Sequence, residues 1–150
     1  MKKKTIFYWL LSIILVTFAG HTVYAEQQKS AQVQEQNALK GKFHLDDVVK
    51  IYVPSTYNLD QPIDNTPYVN KSLETFSNMF GGATAIEGTG AWIGDNNQLI
   101  KEKVTIVYSF ADNLNKKKVN EVVAYAKSLK EEMKQSSVSL EINGKMYFIE

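Results

Sequence analysis

Phe80–Phe110, FGGATAIEGTGAWIGDNNQLIKEKVTIVYSF, is the stretch whose reading decides the fold. Gly81-Gly82 closes a helix, because glycine takes the left-handed backbone of a helix end without a Cβ clash. Ala83 to Ile93 has strand composition and carries Trp92, but Gly88 and Gly90 interrupt its alternation and predict a bulge or a close backbone approach. Gly94 to Gln98 is a polar turn. Beyond it Val104, Ile106, Tyr108 and Phe110 alternate with Lys103, Thr105, Val107 and Ser109, the clearest two-residue period in the chain. The stretch therefore reads as a hairpin in the middle of a domain.

Working outward, each flank supplies one helix and one strand. Upstream, Val69, Leu73, Phe76 and Phe80 recur at helical spacing after Thr66-Pro67, where Thr caps and Pro fills the first turn. Before that helix, Val49, Ile51 and Val53 alternate with Lys50 and Tyr52 in a strand ended by Pro54. Downstream, Val119, Val122, Val123, Ala126, Leu129 and Met133 form the apolar face of a second helix. Ser137 to Glu150 reads as a hairpin about Asn143-Gly144, the preferred pair for a type I′ turn, with Ile142 opposite Lys145, Leu140 opposite Tyr147 and Val138 opposite Ile149. The order is β-α-β-β-α-β with an extra C-terminal hairpin strand. That is the ferredoxin-like split arrangement of the α+β class, an antiparallel sheet with two helices on one face.

The helices leave the reverse face of such a sheet open. Alternation places Tyr52, Val107, Met146 and Phe148 there, among Lys50, Thr105 and Glu141. A contiguous apolar patch of that kind marks a dimer contact, a ligand platform or a partner surface.

The N-terminus sets the address. MKKKTIFYWLLSIILVTFAGHTVYA has three lysines, an apolar run and Val23-Tyr24-Ala25 as a small-x-small site, so residues 1–25 read as a signal peptide and the chain as secreted or held at the cell surface. The membrane is touched only through this leader, should it stay uncleaved. Residues 26–42, rich in Gln, Lys and Ala, read as a flexible polar linker, and residues 43–150 as one domain. Removing Lys2, Lys3 and Lys4 takes the formal charge from +1 to −2, and there is no arginine, so nucleic acid is not an expected partner. With no cysteine, stability comes from the packed core alone.

Chemistry is sparsely signalled. Glu87, Asp95 and Glu102 all lie in the central hairpin, and Glu87 and Glu102 would face each other across it if the glycines form a bulge. Two carboxylates in one groove serve acid–base work, with Trp92 shaping the pocket. Lysines on either side make a solvated charge cluster the plainer reading of Glu102. His44 and Asp46 supply two metal ligands without a third, so no metal and no cofactor are expected. Ser55 and Thr56 follow a strand but lack a nucleophile elbow, and none of the glycines precedes a helix as a phosphate loop must.

Phe80, Gly81, Thr84, Gly90, Trp92 and Glu102 together form an FG-x-T…G-x-W…E pattern. It resembles that of a small uncharacterised bacterial family of ferredoxin-like proteins. The resemblance implies the fold and a closeness of Trp92 to Glu102, and it carries no activity. The function expected from these readings is an exported, non-enzymatic binding module. Its open sheet face, with Tyr52, Trp92, Val107, Met146 and Phe148, would meet a second copy as a homodimer, a protein partner at the cell surface or a small ligand. The alternative is a small hydrolase-like enzyme using Glu102 and Glu87 beside Trp92.

Overall fold

The computed structural model describes residues 26–34, 38–58 and 60–150, so the leader expected at 1–25 lies outside the described residues. The chain divides into two units, 1–43 and 44–150. In the first, residues 26–34 are helical and every one is exposed. No helix among the described residues is long and apolar enough to cross a membrane.

The second unit runs β1 (Asp47–Pro54), β2 (Thr56–Tyr57), β3 (Gln61–Pro62), α1 (Thr66–Phe80), β4 (Thr84–Ile93), β5 (Leu99–Ala111), α2 (Lys116–Glu132), β6 (Val138–Ile142) and β7 (Lys145–Ile149). The five long strands form one sheet in the order β4-β5-β1-β6-β7 with every neighbour antiparallel, while β2 and β3 pair with each other. This is the ferredoxin-like α+β arrangement with its extra hairpin strand. Asn143 and Gly144 both have positive φ, as a type I′ turn requires, and Val138, Leu140 and Ile142 stand opposite Ile149, Tyr147 and Lys145.

Both helices cover the same face. Val49, Ile51 and Val53 of β1 are wholly buried with Leu140 of β6, under Phe76 of α1 and Val122, Tyr125, Ala126 and Leu129 of α2. The rings of Phe76 and Tyr125 meet edge to face at 6.2 Å, and the Tyr125 hydroxyl pairs with that of Ser72 at 2.7 Å, so the polar atoms in the helix seam are satisfied. Helix α1 starts one residue earlier in role than the sequence suggests. Thr66 is its first residue, and Asp64 Oδ1 accepts the Thr66 N–H. That frees the Asn65 amide to donate to the carbonyls of Val53 and Pro54 and to Thr105 Oγ1, tying the helix start to the end of β1. Gly81, at φ 90°, ends the helix and donates its N–H to Ser77 O.

Two expectations are corrected. The first concerns the parity of β5. Val49 pairs with Ser109, Ile51 with Val107 and Val53 with Thr105, so the inward set of β5 is Thr105, Val107, Ser109 and Ala111. Val107 is fully buried in the core and is no part of the open face. The reason is steric: α1 lies over β5, and small residues beneath a helix let it approach while their hydroxyls satisfy chain ends, as Ser109 Oγ does with Gly82 O at 2.6 Å. The larger Val104, Ile106, Tyr108 and Phe110 are turned to the open face.

The second concerns the glycines. The β4–β5 ladder runs unbroken from Thr84 opposite Tyr108 to Ile93 opposite Leu99, with Gly88 opposite Val104 and Gly90 opposite Glu102. There is no bulge. Since β1 pairs with β5 only as far as Pro54 opposite Val104, the rest of this hairpin projects past the main sheet as a two-stranded arm.

Candidate functional site

Strand periodicity places Ile86, Gly88, Gly90 and Trp92 of β4 on the open face with Ile100, Glu102, Val104 and Ile106 of β5. The two glycines leave the β4 side bare over two successive positions, with Ile86 and Trp92 as its ends. Beside this bare strip stands Glu102, half-buried, one same-face position from the pairing partner of Trp92. Lys101 and Lys103, its neighbours in sequence, point to the reverse face by the same periodicity, so Glu102 is not a member of a lysine cluster. The Thr56 hydroxyl donates to Glu102 Oε1 at 2.6 Å, a short charge-assisted bond. Oε2 has no such partner among the described residues. Trp92, at the end of the strip, is 49 % exposed rather than filling the core.

Chemically, this is a half-buried carboxylate with one oxygen fixed by a hydroxyl. It can accept a proton or hold a cation, and an exposed indole adds attraction for a cation or a flat ring.

The paired-carboxylate expectation is not met. Glu87 stands opposite Thr105, on the helix side of the sheet, where it lines an open cleft of about 480 Å³ with Ser55, Asn65 and Lys103. An unbroken ladder separates Glu87 from Glu102 by the thickness of the sheet, and only a bulge between them would have brought them to one side. Asp95 lies in the exposed turn at the tip of the arm. His44 Nε2 and Asp46 Oδ1 are 3.4 Å apart and well exposed, and no group of three metal-ligating side chains occurs among the described residues.

Tyr52, Met146 and Phe148 do share the open face, some distance from Glu102 along the sheet. Met146 stands opposite Glu141, which stands opposite Lys50, and Phe148 stands opposite Ser139. Met146 and Phe148 are exposed. Tyr52 is engaged: its hydroxyl donates to Glu141 Oε2 at 2.8 Å while Lys50 Nζ donates to Oε1 at 2.8 Å. The Lys50 hydrogen bond, followed by that from Tyr52, holds the Glu141 carboxyl below the usual glutamate range. Partial burial, then the bond to Glu141, pushes the Tyr52 hydroxyl up. Sequence reading missed both Glu141 and Thr56 as partners. The β1–β6 register would have revealed the first; the second depends on a loop that periodicity does not describe.

No protein-family model matches the sequence, and comparison with curated proteins finds no match. Among solved structures the chain is similar to a phage SAM lyase in complex with S-methyl-5'-thioadenosine, with a TM-score of 0.56 and 20 % identity, covering 72 % of this chain and 94 % of that one. The same kind of protein, a phage SAM lyase in its apo state, aligns with a TM-score of 0.54 and 23 % identity over 70 % and 89 % of the two chains. The shared feature is the fold. Both of these neighbours are enzymes, and this overturns the expectation of a non-enzymatic binding module.

Proposed function

We propose that the chain is a small lyase-type enzyme that works on the open face at Glu102, with a sulfonium compound of the S-adenosylmethionine kind as substrate. The observation that carries this reading is the Glu102 carboxylate, held through one oxygen by Thr56 and standing opposite Gly90 on a face where β4 is bare between Ile86 and Trp92. A sulfonium cation is attracted by a carboxylate and by an aromatic face, and a planar base fits against backbone that carries no side chains. Hydrolysis by a carboxylate pair needs both groups in one site, flanking the bond, and here Glu87 is on the far side of the sheet. Cleavage without water makes no such demand. In the step proposed, Glu102 accepts a proton from the carbon next to the one bonded to sulfur, the freed C–H electron pair forms a carbon–carbon double bond, and the carbon–sulfur pair moves on to sulfur, which discharges the cation and leaves a neutral thioether and an alkene. The solved neighbour is in complex with S-methyl-5'-thioadenosine, a thioether of that type, which supports the choice of substrate.

The test is to incubate the full chain with S-adenosylmethionine and follow S-methyl-5'-thioadenosine by chromatography. Because that substrate is made inside cells while the leader directs the chain outward, protein from both lysate and medium is assayed. The expected result is product formation that Glu102→Gln lowers at least about 100-fold, the scale of removing a positioned acid–base group. Wild-type protein that forms no product above the protein-free control refutes the proposal.

A further inference from the structure

We infer that Thr56 is the positioning residue of Glu102 and that Gln135, just past the end of α2, holds Thr56 in place. The inference rests on the reading of Glu102 as the working carboxylate. Thr56 lies where the chain leaves the sheet. Pro54 is the last residue of β1 paired with β5, and the Ser55 N–H still donates to Lys103 O at 3.2 Å, after which the chain turns away. Glu102 sits on the projecting arm, flanked by Gly90 on one side and by this departing segment on the other. Thr56 is thus the only side chain seen to fix its carboxylate among the described residues.

The segment that carries Thr56 has little burial to hold it, since Asn58, Asp60, Gln61 and Pro62 are all exposed. Its anchors come from three successive residues after α2. Gln135 Nε2 donates to Thr56 O at 2.8 Å, Met133 O accepts the Asn58 N–H at 3.0 Å, and the Lys134 ammonium lies 5.3 Å from the centre of the Tyr57 ring. Met133 is itself fully buried in the core, and Lys134 takes a positive φ of 52° that lets the chain turn back and aim Gln135 at the loop. A continuous path therefore runs from the packed core through Gln135 and Thr56 to Glu102 Oε1. A glutamate on a two-stranded arm otherwise keeps several rotamers, and fixing one of its oxygens removes that freedom before substrate arrives.

The experiment compares Thr56→Val, Thr56→Ser and Gln135→Leu with wild type and Glu102→Gln in the same assay of S-methyl-5'-thioadenosine formation from S-adenosylmethionine, with thermal unfolding as the folding control. Thr56→Val keeps the shape and loses the hydroxyl. Its kcat is expected to fall roughly 10–100-fold, the worth of one hydrogen bond to a charged group, while KM changes less than about threefold. Thr56→Ser restores kcat, and Gln135→Leu lowers it with Thr56 intact. A Thr56→Val enzyme with wild-type kcat, or a folded Thr56→Ser enzyme as slow as Thr56→Val, overturns the positioning role while the assignment of Glu102 stands. If wild type itself makes no product, crystal structures of wild type and Thr56→Val decide. One Glu102 carboxylate conformer that spreads or moves in the variant upholds the inference, and an unmoved carboxylate overturns it.

Discussion

Gly88 and Gly90 are the residues most easily misread. Neither has positive φ, and a Cβ at Gly88 would meet Val104 Cγ1 at 3.6 Å and one at Gly90 only Glu102 O at 3.9 Å, which are ordinary contacts. Neither backbone conformation nor packing requires glycine there, and strand glycine costs roughly 0.5–1 kcal/mol. The proposed site explains them as absent side chains beside Glu102. Gly90→Val is therefore expected to raise the thermal midpoint, by stiffening the strand, and to abolish turnover by filling the strip. A variant that is both more stable and fully active would remove the strip from the site. In sequence, a missing side chain reads the same whether it marks a bulge or a bare surface. Only the unbroken register distinguishes the two, and with it the faces of Glu87 and Glu102.

At the scale of elements, the sequence is most legible where turn chemistry sets the register. Asn143-Gly144 fixes the partners in the β6–β7 hairpin, and Gly81 fixes the end of α1. It is least legible in β5, where both alternating sets are apolar enough to face inward, and the smaller set is buried because a helix lies over it. The β1–β6 pairing makes the next testable element, the tie of Glu141 to Lys50 and Tyr52. Since the folded carboxyl of Glu141 lies below its ordinary value of 4.5, its contribution is fully present above that pH and is lost as pH falls through the lowered value. Glu132, lowered by Lys71 and then Ser128, acts in the same direction. Chemical-denaturant midpoints measured from pH 7 down to about pH 3 should therefore fall less steeply for Glu141→Gln than for wild type, since the variant lacks one of these groups. Identical slopes would show that the tie contributes nothing.

For the whole molecule, helices on one face make the two sides of the sheet unequal in what they tolerate. Leu140, wholly buried under α2, should cost about 2–5 kcal/mol on substitution by Ala, whereas Phe148, 67 % exposed on the open face, should stay within about 0.5 kcal/mol. Equilibrium unfolding checks both, and comparable losses would mean that the open face is packed in solution. That open side, with its arm and Glu102, is where the account places the chemistry, and the helix side with Glu87 is where it places none. The most direct measurement is the rate of S-methyl-5'-thioadenosine formation by Glu102→Gln and Glu87→Gln side by side with wild type. The account predicts loss in the first and near wild-type turnover in the second. Equal loss in both, or an active Glu102→Gln enzyme, would contradict it.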